Sequence, residues 1–347
     1  MESSRRDLLR LVSLGALSLP FLGHGRLLAA SSGIRKPPAL KEGDTVGLIN
    51  PAGATFHSVD LKIVEETLEA LGLASKPARH ALHRYGYLAG RDTERADDVN
   101  TMFADSDVQA ILAIRGGWGC ARILPLLDYD LISRHPKILV GYSDITALIL
   151  AVFARCGMAT FHGPDGISTW NSFTVDYFKR ILFAGETVTM ANPQGKGDDL
   201  AQKRDRVETI TGGSARGRLV GGNLSVLAAM VGSPYLPDWD GAILFLEDTG
   251  EDVYRVDRML TQLKLAGILD RLAAFVFGKC TRCGPGEGYG SLTLEEVLAD
   301  HIRPLGIPSW YGAMIGHIKD KFTVPIGIEA EVDADVGTIR LLESAVE

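Results

Sequence analysis

Short apolar runs alternate with helical patterns through the first half of the chain. Runs at 45–50, 108–114 and 137–141 predict buried strands, because each is brief and ends in glycine or other small or turn-forming residues. Apolar residues recur at helical spacing over 59–71 and 145–155. Strands that alternate with helices predict a parallel sheet with helices on both faces, and such sheets bind ligands at the carboxyl ends of their strands.

The second half of the chain has a different pattern. Residues 168–208 are polar and weakly periodic, which predicts a linker with some local helix. Beyond it, apolar runs at 242–246 and 273–277 predict strands on either side of a helix at 254–265, and 332–342 alternates like antiparallel β-structure. The predicted division is an N-terminal segment 1–32, an α/β domain 40–167, a linker 168–208 and a second domain 209–347.

The N-terminal segment has the pattern of an export signal. The pair Arg5-Arg6 precedes an apolar stretch over 11–22, and small residues follow at 29–32. The apolar stretch is too short and interrupted to span a bilayer comfortably. The pattern resembles a twin-arginine signal and predicts a periplasmic protein without stable membrane insertion after cleavage. An N-terminal anchor helix and a cytoplasmic leader without signal function are the alternatives.

Composition, charge and cysteine content argue against several classes of function. The chain has 347 residues, of which 46% are hydrophobic, so it can form a sizeable core. Its formal charge of −7 and the lack of a basic patch argue against nucleic-acid binding. Cys280 and Cys283 form a C-x-x-C without a second cysteine pair, so we expect free thiols or one local disulfide rather than a zinc site.

Ser143, Glu247 and His317 are the candidates for chemistry. Ser143 lies between a predicted strand and a predicted helix, although serine is also a common helix N-cap. Glu247 follows a strong strand within an acidic stretch that could orient a histidine, bind a metal or only face solvent. His317 follows a glycine in a predicted tight turn. A serine nucleophile needs a base and an orienting carboxylate, but sequence spacing does not show that the three meet.

Glycines and a helix start could supply oxyanion donors. Gly116 and Gly117 end a predicted strand, where glycine lets backbone amides approach a ligand, although a plain tight turn is the more common explanation for such glycines. The predicted helix after Ser143 offers backbone N–H groups and a positive dipole end.

These motifs together resemble the LD-carboxypeptidases, also called muramoyltetrapeptide carboxypeptidases. They occur in the family's order and cover about 40–343 of the chain. The motifs are Asn50-Pro51-Ala52-Gly53, Arg115-Gly116-Gly117-Trp118-Gly119, Gly141-Tyr142-Ser143-Asp144, Gly221-Gly222-Asn223-Leu224, Leu246-Glu247-Asp248, Tyr254-Arg255-Val256-Asp257-Arg258-Met259-Leu260 and Gly316-His317.

The resemblance implies an N-terminal α/β domain like that of class I glutamine amidotransferases and a C-terminal, β-rich swivelling domain. It implies Ser143 as nucleophile, His317 as base and Glu247 as its orienting carboxylate. The backbone amides of Gly117, in preference to Gly116, and of Asp144 would form the oxyanion hole. Arg115 either pairs with a substrate carboxylate or is structural.

The implied reaction releases the terminal D-Ala from a murein tetrapeptide through an acyl-enzyme, with no metal or other cofactor, and family members are often homodimers. The export signal departs from the family's usual cytoplasmic location. Two alternatives stay open: an acyl-adenylate amide hydrolase like the microcin C self-immunity proteins, and a periplasmic binding protein without catalysis.

Overall fold

A computed structural model describes residues 33–286 and 290–347, so the predicted export signal at 1–32 lies outside the described residues. Strands β1 to β14 are Thr45–Ile49, Ala74–Pro77, Ala110–Ala113, Ile138–Gly141, Thr160–His162, Thr189–Ala191, Glu208–Thr211, Ser214–Asn223, Ile243–Thr249, Ala274–Thr281, Ser309–Tyr311, Val324–Ile326, Glu329–Asp333 and Thr338–Leu341. Helices α1 to α8 are Ser58–Ala70, Asp92–Ala104, Tyr129–Arg134, Thr146–Cys156, Ser172–Leu182, Leu224–Ala229, Val253–Leu265 and Leu294–His301. Short 3₁₀ segments are Cys120–Leu126, Ser143–Ile145, Leu269–Arg271 and Arg303–Leu305.

The first sheet has the order β12-β5-β4-β3-β1-β2. Strands β1 to β5 are parallel, and their carboxyl ends therefore meet at one edge. Strands β3 and β4 are buried along their whole length, which agrees with their uninterrupted apolar sequences. Strand β12 comes from near the end of the chain and pairs antiparallel with β5.

The second sheet has the order β6-β14-β13-β8-β9-β10-β11-β7. Its centre, β8 to β11, is parallel, whereas β13, β14, β6 and β7 join it in antiparallel pairs. Helix α4 contacts β4 and β5 of the first sheet and β8 of the second. Nine of its eleven residues are buried, so this helix is part of the core that both sheets share.

The predicted mixed α/β fold is confirmed, with two differences in detail. The first sheet is mixed rather than wholly parallel, because β12 returns to it from the second half of the chain. The stretch 168–208 contains strand β6 in addition to loop and to the expected local helix, which is α5. Residues 34–347 form one compact unit, and the boundaries proposed for two domains within it stay a prediction.

Cys280 and Cys283 form a disulfide, which is one of the two states expected for this pair. The other two cysteines, Cys120 and Cys156, are buried free thiols. Among the described residues, no helix is long and apolar enough to cross a membrane.

Strands β8 and β9 pack too closely for a side chain at Gly221. A Cβ at this position would lie 1.8 Å from the carbonyl oxygen of Phe245, and the backbone φ is +158°. Real Cβ atoms do not approach backbone atoms to this distance. Asn223, two residues further along β8, belongs to the candidate site described below, so this close pairing also fixes the end of β8 at that site.

We expect Gly221→Ala to lower the free energy of unfolding by about 3 kcal/mol or more, because β8 must move away from β9. Urea denaturation followed by circular dichroism measures the change. Gly195→Ala is the control, since a Cβ there meets no atom of residues 33–286 or 290–347 within 4 Å, and it should leave stability nearly unchanged. Equal stability of both variants would contradict this account.

Candidate active site

Ser143 lies in a sharp turn between β4 and α4. Its φ is +61°, a left-handed conformation that is uncommon outside glycine. Such a conformation typically costs about 1–3 kcal/mol and occurs often at functional sites. The turn places the serine at the carboxyl edge of the first sheet, where sequence patterns predicted a ligand site.

His317 lies in the loop after β11 and contacts both other candidates. Its Nε2 lies 3.0 Å from the Oγ of Ser143, and its Nδ1 lies 2.8 Å from an Oε of Glu247. When Nδ1 carries the ring proton and donates a hydrogen bond to Glu247, Nε2 is unprotonated and can accept the proton of Ser143. The structure therefore brings His317 together with Glu247, 70 positions away in sequence, and with Ser143, 174 positions away.

Glu247 is on β9 and its side chain has no exposure to solvent. A buried carboxylate needs hydrogen-bond donors, and Asn223 at the end of β8 supplies one from Nδ2 at 3.1 Å. The same amide nitrogen lies 3.1 Å from Asp248, whose pKa is raised mainly by burial. Gly316 is needed beside the carboxylate, because a Cβ there would lie 2.7 Å from Glu247.

The amides of Gly117 and Asp144 differ from that of Gly116 in their hydrogen bonding. Gly116 N–H donates to Asp165 at 3.2 Å, whereas Gly117 N–H has no acceptor among the described residues. Asp144 N–H lies in the first turn of a helical segment, where N–H groups have no intrahelical partner. A Cβ at Gly116 would lie 2.8 Å from the Cβ of Ser143. The loop 115–119, called the glycine loop below, therefore adjoins the nucleophile candidate.

The Asp144 side chain has a different role from the backbone amide of the same residue. Its carboxylate accepts a hydrogen bond from Cys120 N–H at 2.7 Å, and burial raises its pKa to about 6. Arg115, predicted to contact substrate or to be structural, donates from Nη1 to the carbonyl of Ala54 at 3.1 Å. Its Nε is buried and has no partner among the described atoms.

A buried polar cluster behind the site was absent from the predictions. Lys321 is 4% exposed, donates to Ser168 at 3.3 Å and lies 4.1 Å from the ring centroid of Tyr142. The Tyr142 ring in turn packs 4.9 Å from that of His317. Ser168 also donates to Asp165, the acceptor for Gly116. The cluster therefore links the histidine and the glycine loop.

Sequence patterns gave little signal for this cluster. Lys321 and Asp165 lie in irregular segments, and nothing in their spacing predicts that they meet. Burial lowers the pKa of Lys321 and raises the pKa of Asp165. Asn223 did have a signal, since it precedes a helix and its side chain caps Val226 N–H, but that pattern does not reveal its contact with Glu247.

This arrangement suits nucleophilic catalysis at a carbonyl carbon. It contains a hydroxyl next to an imidazole, an imidazole fixed by a buried carboxylate, and backbone donors beside the hydroxyl. A carbonyl carbon attacked by Ser143 would hold its oxygen close to the glycine loop.

Family models match both halves of the chain. The LD-carboxypeptidase N-terminal domain matches residues 46–163, and the LD-carboxypeptidase C-terminal domain matches residues 216–332. A Bacillus subtilis (strain 168) protein named "Probable murein peptide carboxypeptidase" is 38% identical over 304 residues, which covers 86% of this chain and 91% of that protein.

Two further proteins are similar over most of their length. The "Microcin C7 self-immunity protein MccF" of Escherichia coli is 29% identical over 330 residues, covering 88% of this chain and 94% of that protein. The solved structure of muramoyltetrapeptide carboxypeptidase from Oxalobacter formigenes is 31% identical, with a TM-score of 0.71, and covers 86% of this chain and 97% of that one.

His162 should make stability depend on pH. Burial lowers its pKa to about 3, with smaller contributions from the nearby His317 and Lys321. Below pH 6.5 the unfolded chain binds a proton that folded His162 does not, so stability falls as pH falls. The loss by pH 5 is about 2 kcal/mol relative to pH 7.5.

Denaturant unfolding of the wild type and of His162→Phe at both pH values measures this difference. The variant should lose about 2 kcal/mol less between pH 7.5 and pH 5 than the wild type. His57→Ala, a change at an exposed histidine, should retain the wild-type pH dependence. An unchanged pH dependence in His162→Phe would show that this histidine titrates normally.

Proposed function

The chain belongs to the LD-carboxypeptidase family, and we propose that Ser143, His317 and Glu247 hydrolyse the L,D-peptide bond that releases terminal D-Ala from murein tetrapeptides. The protein is a serine-type carboxypeptidase, a hydrolase. The observation that supports the residue roles is the continuous hydrogen-bonded series from Ser143 through His317 to the buried Glu247.

The first half of the reaction forms an acyl-enzyme. His317 Nε2 takes the proton of Ser143 as Oγ attacks the carbonyl carbon before D-Ala. The amides of Gly117 and Asp144 stabilise the resulting oxyanion. The C–N bond then breaks, His317 gives its proton to the amine of D-Ala, and Ser143 carries the shortened peptide as an ester.

The second half releases the acyl group. Water gives a proton to His317 and attacks the ester carbonyl, and the Ser143–acyl bond breaks as Ser143 regains the proton. Glu247 keeps the imidazole in one tautomer and stabilises the imidazolium form in both halves. In the proposed domain division, 40–167 supplies Ser143 and 209–347 supplies Glu247 and His317.

Arg115 is the proposed contact for the terminal carboxylate of the substrate. A carboxypeptidase must recognise a free carboxylate, and arginine can bind it with two parallel hydrogen bonds. Arg115 directly precedes Gly116, where a Cβ would lie 2.8 Å from the Cβ of Ser143, so the arginine belongs to the segment beside the proposed nucleophile.

We expect Ser143→Ala and His317→Ala each to lower kcat/KM for D-Ala release by about 10³-fold or more. Glu247→Gln should also lower kcat/KM, by a smaller factor than either of these variants. A coupled assay of free D-Ala from purified murein tetrapeptide measures the rate. Ser106→Ala, a change at an exposed serine outside the site, is the control and should retain full activity. Unchanged D-Ala release from Ser143→Ala would exclude it as the nucleophile.

The same proteins should be assayed with an aminoacyl sulfamoyl adenylate. The Escherichia coli relative is named as a microcin C7 self-immunity protein. Hydrolysis of an aminoacyl sulfamoyl adenylate would show that this chain has the acyl-adenylate amide hydrolase activity of the alternative hypothesis. Faster hydrolysis of the adenylate than of the tetrapeptide would favour that branch. Tight binding of tetrapeptide without turnover would favour a binding protein.

Export and self-association complete the proposal. We propose that residues 1–32 direct the chain to the periplasm through the twin-arginine route, because Arg5-Arg6 precedes a short apolar stretch. The substrate would then be periplasmic murein or its fragments. We also propose a homodimer, which light scattering of the mature protein would measure.

Arg5→Lys combined with Arg6→Lys should block export while leaving the mature chain unchanged, because the arginine pair is read by a receptor. Immunoblotting of periplasmic and cytoplasmic fractions measures the precursor and the mature form. Arg35→Lys, beyond the signal, is the control and should be exported normally. Periplasmic mature protein from the double variant would contradict twin-arginine export.

A further inference from the structure

Two histidines and a glutamate meet at the edge of the first sheet, outside the catalytic residues. His80, His83 and Glu94 each place one ligand atom within 4.8 Å of the others. We propose that these three side chains bind a zinc-class divalent cation. The site uses none of the groups assigned to hydrolysis, so it stands independently of the proposed reaction.

A tight turn after β2 fixes the two histidines. His83 N–H donates to the carbonyl of His80 at 2.8 Å, and the two imidazole centroids lie 4.8 Å apart. Within the turn, the Ala81 carbonyl accepts a hydrogen bond from Asn50 at the end of β1. The backbone therefore holds the H-x-x-H pair on one side of the turn before any cation binds.

Asp98 orients His80 in the way that carboxylates orient zinc-binding histidines. Its Oδ1 lies 2.8 Å from His80 Nδ1, and both carboxylate oxygens accept from His80 N–H. A proton on Nδ1 leaves Nε2 unprotonated, which is the form that binds a metal. Asp98 is 4% exposed and lies on α2, so the orientation is set by a buried group on a regular helix.

Glu94 supplies the carboxylate ligand from the first turn of α2. One of its oxygens lies 3.4 Å from His83 Nδ1, while the other accepts a hydrogen bond from Arg91 N–H at 2.7 Å. Gly90 allows this arrangement, because a Cβ there would lie 2.9 Å from Glu94 and 3.4 Å from His83.

The donor set and its spacing favour zinc among common cations. Two imidazoles and one carboxylate with an open fourth position form a typical zinc set. Bonds of about 2.0–2.2 Å bring such ligands to about 3–3.5 Å from each other. His83 is about half exposed and can move the remaining distance by rotating its side chain.

A bound cation would connect the turn after β2 with α2. The segment between them, 84–91, returns to the catalytic side of the sheet, where the Tyr87 carbonyl accepts a hydrogen bond from Ala54 N–H. Ala54 is also the acceptor for Arg115. The cation would therefore stabilise the segment that supports the predicted substrate contact.

The test uses untagged mature protein treated with chelator and then dialysed. We expect isothermal titration with Zn²⁺ to give one site per chain, and Co²⁺ to give the visible absorption bands of a tetrahedral site. His83→Ala and Glu94→Gln should each weaken Zn²⁺ binding at least about 10-fold. Zn²⁺ should also raise the melting temperature of the wild type and not that of His83→Ala.

His135→Ala is the matched control, because His135 is exposed and belongs to neither grouping of potential ligands. It should bind Zn²⁺ like the wild type. No saturable binding by the wild type would overturn the proposal. Binding that is unchanged in both His83→Ala and Glu94→Gln would also overturn it and would point to the alternative grouping of His80 with Asp97 and Asp98. Circular dichroism of each variant verifies that it is folded.

Discussion

The buried carboxylate of Glu247 is the constraint on which the site depends. A charge with no exposure to water must be compensated by donors, and His317 and Asn223 provide them. Each donor comes from a different segment around β9. The requirement to satisfy one carboxylate thus fixes the histidine loop and the end of β8 relative to each other.

Ser143, the proposed nucleophile, is fixed from the opposite side by backbone geometry. Ser143 occupies a left-handed turn, and the following helix α4 packs between the two sheets. Asn223 N–H donates to the Thr146 side chain in the first turn of α4. This hydrogen bond joins the segment of the serine to the segment that supports Glu247. The distance from serine to histidine therefore follows from the packing of the core, not from local loop structure alone.

Glycine has a specific structural role where the segments converge. A Cβ at Gly116 would lie 2.8 Å from the side chain of Ser143, and a Cβ at Gly316 would lie 2.7 Å from the side chain of Glu247. Glycine at these two positions therefore leaves room for both side chains. The motifs that carried the family resemblance thus include positions at which the backbone passes directly beside the side chain of a proposed catalytic residue. The buried cluster of Asp165, Ser168 and Lys321 then fixes the glycine loop from behind.

Apolar periodicity and small-residue turns act over short distances, so the amino-acid sequence alone predicted strands β1, β3, β4, β9 and β10, helices α1, α4 and α7, and the strand-to-helix position of Ser143. The motif order also identified the family and pointed to Ser143, His317 and Glu247 as the candidate catalytic residues. The contacts among these three side chains, the hydrogen bond from Asn223 to Glu247 and the return of β12 to the first sheet are visible only in the folded molecule. These contacts join residues far apart in the chain, and they depend on packing between sheets, which no local pattern records.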